Sequence, residues 1–272
     1  MAERPAPSAF LLGWLERFGM SGTRHNAFFD VYVRGPHGHW SLVALVVHNA
    51  LVSIVHGDEE DGAKLAALLK RKEQEIQTVV GPDKAVDGFV RTLMPVDFVP
   101  RVLQRQTLMQ MKRPKTPIPL AGAAYPLRSA GDDDISQVIT ASLEMHEEEV
   151  QSPNTDDDVD ALMRSSYQKV REGRVWVLMD PNGALIFKAS TSLANDLIAQ
   201  IEGVWTHPEA RGRGIATRCM AQLCNELFEA YNVLSLTVAT DNHPAMRVYE
   251  KLGFEKVAAW CTAYLDVAPD ED

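Results

Sequence analysis

The residues with the most chemistry to offer fall in two stretches late in this 272-residue chain. The first is Ile201-Glu-Gly-Val-Trp-Thr-His-Pro-Glu-Ala-Arg-Gly-Arg-Gly-Ile-Ala216. It reads as a strand to Thr206, a tight turn through Pro208, and a glycine-bearing loop that opens a helix. Glycine lets backbone N–H groups approach an anion, and the first helical turn has N–H groups without partners. With the helix dipole and the clustered Arg211, Arg213 and Arg218, those donors make a pocket for phosphate oxygens. The second stretch is Asn242-His-Pro-Ala-Met-Arg-Val-Tyr-Glu-Lys-Leu-Gly-Phe254. On a helix, positions seven apart return to nearly the same angle, so Asn242 and Tyr249 share a face that Ala245 keeps low. Gly253 is placed to end that helix left-handed, with Phe254 supplying the hydrophobic contact behind it.

The elements that must hold these residues follow from hydrophobic spacing. The helix Ile215–Ala230 carries Ala216, Cys219, Met220, Leu223, Leu227 and Ala230 on one face. Leu197–Thr206 and Leu234–Ala239 are the flanking strands. Earlier in this half come a strand (Tyr125–Arg128), helices (Asp132–Glu148 and Asp157–Arg171), and a hairpin of Val175–Met179 with Ala184–Ala189 over Asp180-Pro-Asn-Gly183. A strand pair near Val257–Val267 closes it. The first half predicts a short amphipathic helix over 8–19 and strands Phe28–Arg34, Trp40–His48 and Leu51–His56. After them come helix Glu59–Lys72, strand Ile76–Gly81, helix Lys84–Leu93 and strand Val102–Met111. Lys112-Arg-Pro-Lys-Thr-Pro-Ile-Pro119 is proline-rich and basic, the composition of a linker. The expected fold class is α/β (α+β): two mixed-sheet domains of one class, with helices on both faces. The boundaries are 1–111, a linker over 112–123, and 124–272.

Composition restricts the partners. With a net charge of −10 and 46% apolar residues, the chain gains no general attraction to nucleic acid or anionic membrane. Any basic pocket is local, as the arginine loop is. The apolar run Ala9–Leu15 is too short to span a membrane and lacks a cleavage site. Three cysteines, Cys219, Cys224 and Cys261, lack metal or disulfide spacing, which suits a reducing compartment and a cytoplasmic location. His37-Gly-His39 has no evident third ligand, so no metal site is expected.

The two halves differ at the strand–loop–helix step. Where the second has Arg211-Gly-Arg-Gly, the first has Gly57-Asp-Glu-Glu-Asp-Gly62. Four carboxylates there would repel a pyrophosphate. The first half is then a degenerate copy that lost its ligand, or the acids are simply an Asp/Glu-rich helix start.

The two late stretches, some 30 residues apart, resemble the GNAT superfamily of N-acetyltransferases. The matching pieces are the strand followed by Arg211-Gly-Arg-Gly-Ile-Ala216, and Asn242-x-x-Ala-x-x-x-Tyr249-x-x-x-Gly-Phe254. The resemblance covers about Arg128 to Leu265, and the whole chain looks like two-domain members of that superfamily, with a complete GNAT domain at the C-terminus. Phe187-Lys-Ala189 and Glu147-Glu-Glu-Val150 fit that subgroup less specifically. The resemblance implies acetyl-CoA as donor and a primary amine, free or on a peptide, as acceptor. It implies pyrophosphate on the backbone of Gly212, Arg213, Gly214, Ile215, Ala216 and Thr217, with Arg211 alongside. Val204, Trp205 and Thr206 would pair with the pantetheine arm, and Asn242 would touch it. Tyr249 would stand by the thioester sulfur. Gly203 marks the expected bulge that splays the strands, and Ala216 replaces the family's third loop glycine.

Acid–base needs add the remaining roles. A primary amine has a pKa near ~10.4, so something must accept its proton. Glu202, one residue before the bulge, is the candidate, against the plainer reading of a solvent-facing strand carboxylate. The acyl oxygen needs a donor, the main-chain N–H of Val204 or Trp205. Tyr249 can protonate the leaving thiolate at a cost of only ~2 kcal/mol before its environment acts, since the two reference pKa values differ by ~1.5 units; otherwise its ring is core packing. The competing function is a non-catalytic acyl-CoA-binding or regulatory module on the same fold. Either reading is compatible with a monomer or a homodimer.

Overall fold

The computed structural model describes residues 7, 11, 29–36, 39–48, 51–94, 99–120, 122–150, 153–192 and 197–265. In chain order these form β1 (Phe29–Arg34), β2 (Leu42–Val47), β3 (Leu51–His56), α1 (Glu59–Arg71), β4 (Thr78–Pro82), α2 (Asp83–Leu93) and β5 (Val102–Lys112). Then come β6 (Arg128–Ser129), α3 (Ile135–Val150), α4 (Asp156–Arg171), β7 (Val175–Met179), β8 (Leu185–Thr191) and β9 (Ile198–Thr206). The chain continues with α5 (Ile215–Ala230), β10 (Val233–Ala239), α6 (His243–Leu252) and β11 (Glu255–Tyr264). This is the mixed α/β fold that the hydrophobic spacing predicts, and it divides into two compact units.

The first unit comprises Met1–Met109, Thr237–Asn242 and Lys256–Asp272. Its sheet runs β1-β2-β3-β4-β11-β5. The β3–β4 pair is parallel and β4–β11 antiparallel, from Trp260↔Pro82 to Tyr264↔Thr78. Val52, Ile54 and Val79 of the sheet pack with Leu65, Leu69 and Phe89 of α1 and α2 in one core. The helices approach through glycine: a Cβ on Gly62 would lie 1.9 Å from the Ala85 carbonyl oxygen, and one on Gly88 2.0 Å from that of Glu59. No other residue fits at either position without moving backbone.

The second unit comprises Gln110–Leu236 and His243–Glu255. Its strands run β10-β9-β8-β7-β6, with β9–β10 parallel and the other pairs antiparallel. One core joins Val138 and Ala141 of α3 and Val170 of α4 to Val175, Val177, Leu185 and Trp205 of the sheet. The helix α5 buries Cys219, Met220, Leu223 and Leu227 of the expected face together with Ala221, Cys224 and Phe228, whereas Ala216 is half-buried and Ala230 exposed.

Three local expectations change. The strand over 125–128 is reduced to Arg128–Ser129, because the Gln222 amide takes both the N–H and the carbonyl of Tyr125 (2.8 and 2.9 Å) and leaves nothing for a ladder. The pair near 257–267 is one strand, β11, whose Cys261 and Ala263, with Leu265 just after it, enter the first unit's core. The proline-rich segment is fastened to α5: Asn225 exchanges two hydrogen bonds with Ile118, at 2.8 and 3.0 Å. The helix over 8–19 and residues 37 and 38 lie outside the described residues, apart from Leu11, which is buried against Val43, Leu45 and Val55.

Candidate active site

The site of the second unit begins with a bulge. Between β8 and β9 the register runs Phe187↔Thr206 and Lys188↔Trp205, then Ser190↔Glu202 and Thr191↔Ile201. Gly203 and Val204 therefore oppose Ala189 alone. Gly203 adopts φ +60°, the left-handed conformation of a glycine bulge. A Cβ there would sit 3.0 Å from Ser190 Oγ and 3.4 Å from Lys188 Nζ. On its other side β9 pairs with β10 only from Val233↔Ile198 to Ser235↔Gln200, so the ladder ends before the bulge. The glycine in Ile201-Glu-Gly-Val is the sequence signal for this break.

Beyond β9 the chain makes a single 3₁₀ turn over Pro208–Ala210 and reaches the glycine loop. Gly212 and Gly214 both have φ +75°, and nothing lies within 4 Å of a Cβ at either position. Gly214 is the N-cap of α5 and offers no side-chain cap. The first intrahelical bond runs from Arg218 N to Gly214 O at 3.2 Å, so the N–H groups of Ile215, Ala216 and Thr217 precede the ladder. Those donors, with the positive end of the helix dipole, suit a diphosphate. Arg213 is exposed beside them. Arg211 is engaged elsewhere: Nη2 bonds both carboxylate oxygens of Glu148 (2.9 and 3.0 Å), and Nε the Thr206 carbonyl. Arg218 stacks on Tyr125, its guanidinium carbon 4.5 Å from the ring centroid.

Tyr249 lies on α6 and is buried. The helix ends with Gly253 N–H bonded to Glu250 O and Phe254 N–H to Tyr249 O, at 3.1 and 3.0 Å. That is the paired bonding of a Schellman motif, whose hydrophobic contact is Tyr249 with Phe254, edge-on at 6.0 Å. The helix stop therefore also orients the phenol. Burial, then the Glu149 carboxylate, then Cys224, raise the Tyr249 pKa, so the hydroxyl stays protonated and retains a proton it can donate. That environment removes the low cost of complete proton transfer expected from reference values. Glu149 itself has a raised pKa: part of its surface reaches solvent, but its carboxyl is desolvated, an effect that His146 and Lys188 oppose.

Of the other predicted residues, Val204 is half-buried and Trp205 buried, with the His207 ring edge-on to it at 5.8 Å. Thr206 pairs with Phe187. Glu202 is half-buried and ion-paired with Lys169, 2.7 Å away. Asn242 is exposed just ahead of α6, its N–H bonded to Ala239 O, in a segment that belongs to the first unit. Lys188, Ser190 and Lys169 have no role in the sequence reading. The strand β8 is buried along almost its whole length, so alternation does not reveal which of its residues face the bulge. Cys219, Cys224 and Cys261 are buried free thiols, and burial pushes Cys219 to about 12, which leaves them without nucleophilic character. Among the described residues no cluster of metal-binding side chains occurs, and no helix is long and apolar enough to cross a membrane.

A bulged strand, an uncapped glycine-led helix after it and a buried tyrosine following the next strand thus occur together in the second unit. Residues 140–254, less than half of the chain, match the family model "Acetyltransferase (GNAT) family". A mycothiol acetyltransferase of Mycolicibacterium smegmatis is 27% identical over 165 residues, 57% of this chain and 55% of the relative. The alignment thus spans about half the length of that relative. Two solved structures share the fold along nearly the whole chain. A GCN5-related N-acetyltransferase from Kribbella flavida has a TM-score of 0.57 at 15% identity, covering 98% of this chain and 96% of its own. Another, from Sphaerobacter thermophilus, has a TM-score of 0.57 at 16% identity, covering 99% and 95%.

Proposed function

We propose that this protein is a cytoplasmic acetyl-CoA-dependent N-acetyltransferase that acts on a primary amine, free or peptide-borne. The supporting observation is the uncapped start of α5, open at Gly212 and Gly214, in the same unit as a buried, protonated Tyr249. The mycothiol acetyltransferase relative supports acetyl transfer as the reaction class. Bound acetyl-CoA supplies an activated acetyl group.

The main chain of Gly212 to Thr217 holds the diphosphate, with Arg213 nearby. The backbone of Val204, Trp205 and Thr206, freed where the β9–β10 ladder ends, receives the pantetheine arm. Arg211 acts at one remove, tying Glu148 to the Thr206 carbonyl beside the loop. In the transfer, a C–N bond forms as the C–S bond breaks. The Val204 N–H stabilises the acyl oxygen. Tyr249 donates a hydrogen bond to the departing sulfur, and the amine's proton passes to a carboxylate. Glu202 is one acceptor, restrained by Lys169; Glu149, with its raised pKa, is the stronger base, and Glu202→Gln and Glu149→Gln separate the two.

Tyr249→Phe is the decisive variant. Acetyl-CoA binding by calorimetry should be retained while thiol release across an amine panel falls by roughly 100-fold. Absence of acetyl-CoA binding in the wild type would sink the transferase reading. Unchanged turnover in the variant would remove Tyr249 from the chemistry, and binding without thiol release on any amine would favour the non-catalytic module.

A further inference from the structure

Two buried polar side chains of β8 have no part in the reaction described so far. Lys188 and Ser190 are 4% and 7% exposed, and both reach across to the bulge. Lys188 Nζ donates to the Gly203 carbonyl at 3.2 Å, and Ser190 Oγ to the Glu202 carbonyl at 3.1 Å. The inserted residue interrupts the β8–β9 register at this point, and two side chains of β8, two residues apart, serve successive carbonyls of β9. A serine, a threonine or a water could satisfy a carbonyl as well. A lysine is a costly choice, because a buried ammonium gives up its hydration. The charged groups that bear on Lys188 are Lys169 from α4, Glu149 from α3 and Glu202 from β9.

The Gly203 carbonyl belongs to the same peptide unit as the Val204 N–H. A charged donor on the oxygen draws electron density through the amide and strengthens the N–H as a donor on the opposite side. We propose that Lys188 is a positioning residue that polarises the Gly203–Val204 peptide from behind, so that Val204 N–H binds the acyl oxygen of the thioester more strongly. Ser190 does the same, without charge, for the preceding peptide. This rests on Val204 N–H being the oxygen's donor in the proposed reaction. Burial and Lys169 lower the Lys188 pKa to about 8, against the opposing pull of Glu149 and Glu202. The ammonium therefore predominates below that pH and is lost above it, which makes the polarisation titratable.

The direct test is the carbonyl carbon-13 resonance of Gly203 in the full-length free protein, followed from neutral to alkaline pH. It should shift with a midpoint near 8 in the wild type and stay flat in Lys188→Met. No shift in the wild type, or the same shift in the variant, overturns the proposal. The functional arm measures thiol release from acetyl-CoA to hydroxylamine, an amine that is already neutral in this range. Lys188→Met should lower kcat about 10-fold at neutral pH, less than the ~10²–10³ lost when an oxyanion donor is removed outright. Its acetyl-CoA affinity should be unchanged, and the difference from wild type should shrink toward unity as the pH rises. Lys188→Arg, which keeps its charge, should hold activity through the alkaline range. A deficit that is equal at every pH and accompanied by weakened acetyl-CoA binding would mean a mere structural prop, and would overturn the proposal. If the wild type binds no acetyl-CoA, the transferase reading fails; the Gly203 titration still decides whether Lys188 charges that peptide.

Discussion

The chain passes from strand to helix through a short loop in each unit, at His56–Gly62 and at Thr206–Ala216, and the two solutions are opposite. In the first, Asp58 caps α1 by accepting from the Asp61 N–H at 2.9 Å. The opening turn carries Glu59, Glu60 and Asp61, and Asp61 is itself buried and takes hydrogen bonds from Arg34 and Ser41. In the second, Gly214 caps α5 with no side chain at all, and the space around Gly212 and Gly214 is open. A helix start must find acceptors for its N–H groups. The first unit builds them in, and at α5 the second supplies no side-chain cap. The acidic loop is thus a helix cap in its present form, whatever its ancestry.

The comparison breaks hardest at the glycines. Gly62→Ala should cost about 3 kcal/mol in a denaturation experiment, because its Cβ would fall 1.9 Å from a backbone oxygen of α2. Gly212→Ala has nothing to collide with and should cost only the left-handed conformation, about 1 kcal/mol. Equal losses at the two sites would mean that crowding does not distinguish them.

Exchanging the caps sharpens the contrast. Asp tolerates the left-handed region better than most residues, so Gly214→Asp should fold while placing a carboxylate where phosphate is proposed to bind. Acetyl-CoA affinity should fall about 100-fold, or about 2.7 kcal/mol. The converse change, Asp58→Ala, removes a cap worth about 1 kcal/mol of stability and should leave acetyl-CoA binding as it was. Calorimetry on both variants measures the two halves of this statement. An effect of Asp58→Ala on affinity would contradict the division of labour.

Much of this contrast was legible in the sequence, because it depends on local rules. The loop glycines, the centre of the apolar face of α5 (Cys219, Met220, Leu223, Leu227), and the Gly253–Phe254 stop behind Tyr249 are short-range patterns, and each is found where its spacing predicts. Residue roles that depend on distant partners were not legible. Arg211 reads as a phosphate ligand until Glu148, 63 positions away, is seen to hold it. Glu202 reads as a free base until Lys169 is found beside it. Lys188 could not be placed because β8 is buried on both faces, so a period of two carries no direction. The strand β11 went to the first core because Cys261, Ala263 and Leu265 match that core as well as any in their own half, and hydrophobic pattern alone does not choose between two cores.

The second unit is not averse to acids at helix starts; it keeps them away from α5. Asp134, in the 3₁₀ turn that leads into α3, accepts from the Gly131 N–H at 2.8 Å and pairs with Arg128 through both oxygens, at 2.6 and 2.9 Å. Arg128 first, and the Gly131 N–H after it, hold the Asp134 carboxyl below its usual 3.8, against the opposing effect of burial. A depressed carboxylate pKa means that the unfolded chain binds the proton more readily. Asp134's contribution is therefore complete above pH 3.8 and is lost as the pH falls through the lower, folded value. Arg128→Ala should raise that folded value and remove part of the contribution already at neutral pH. Since the Arg128 side chain is half exposed, solvent screening limits the loss to less than about 1 kcal/mol. The measurement is a set of thermal melts of wild type and variant from neutral to acid pH, in which the gap between the two should close toward the acid end. A gap that persists below the carboxylate range would show that Arg128 stabilises the turn by packing on its stem rather than by pairing with Asp134.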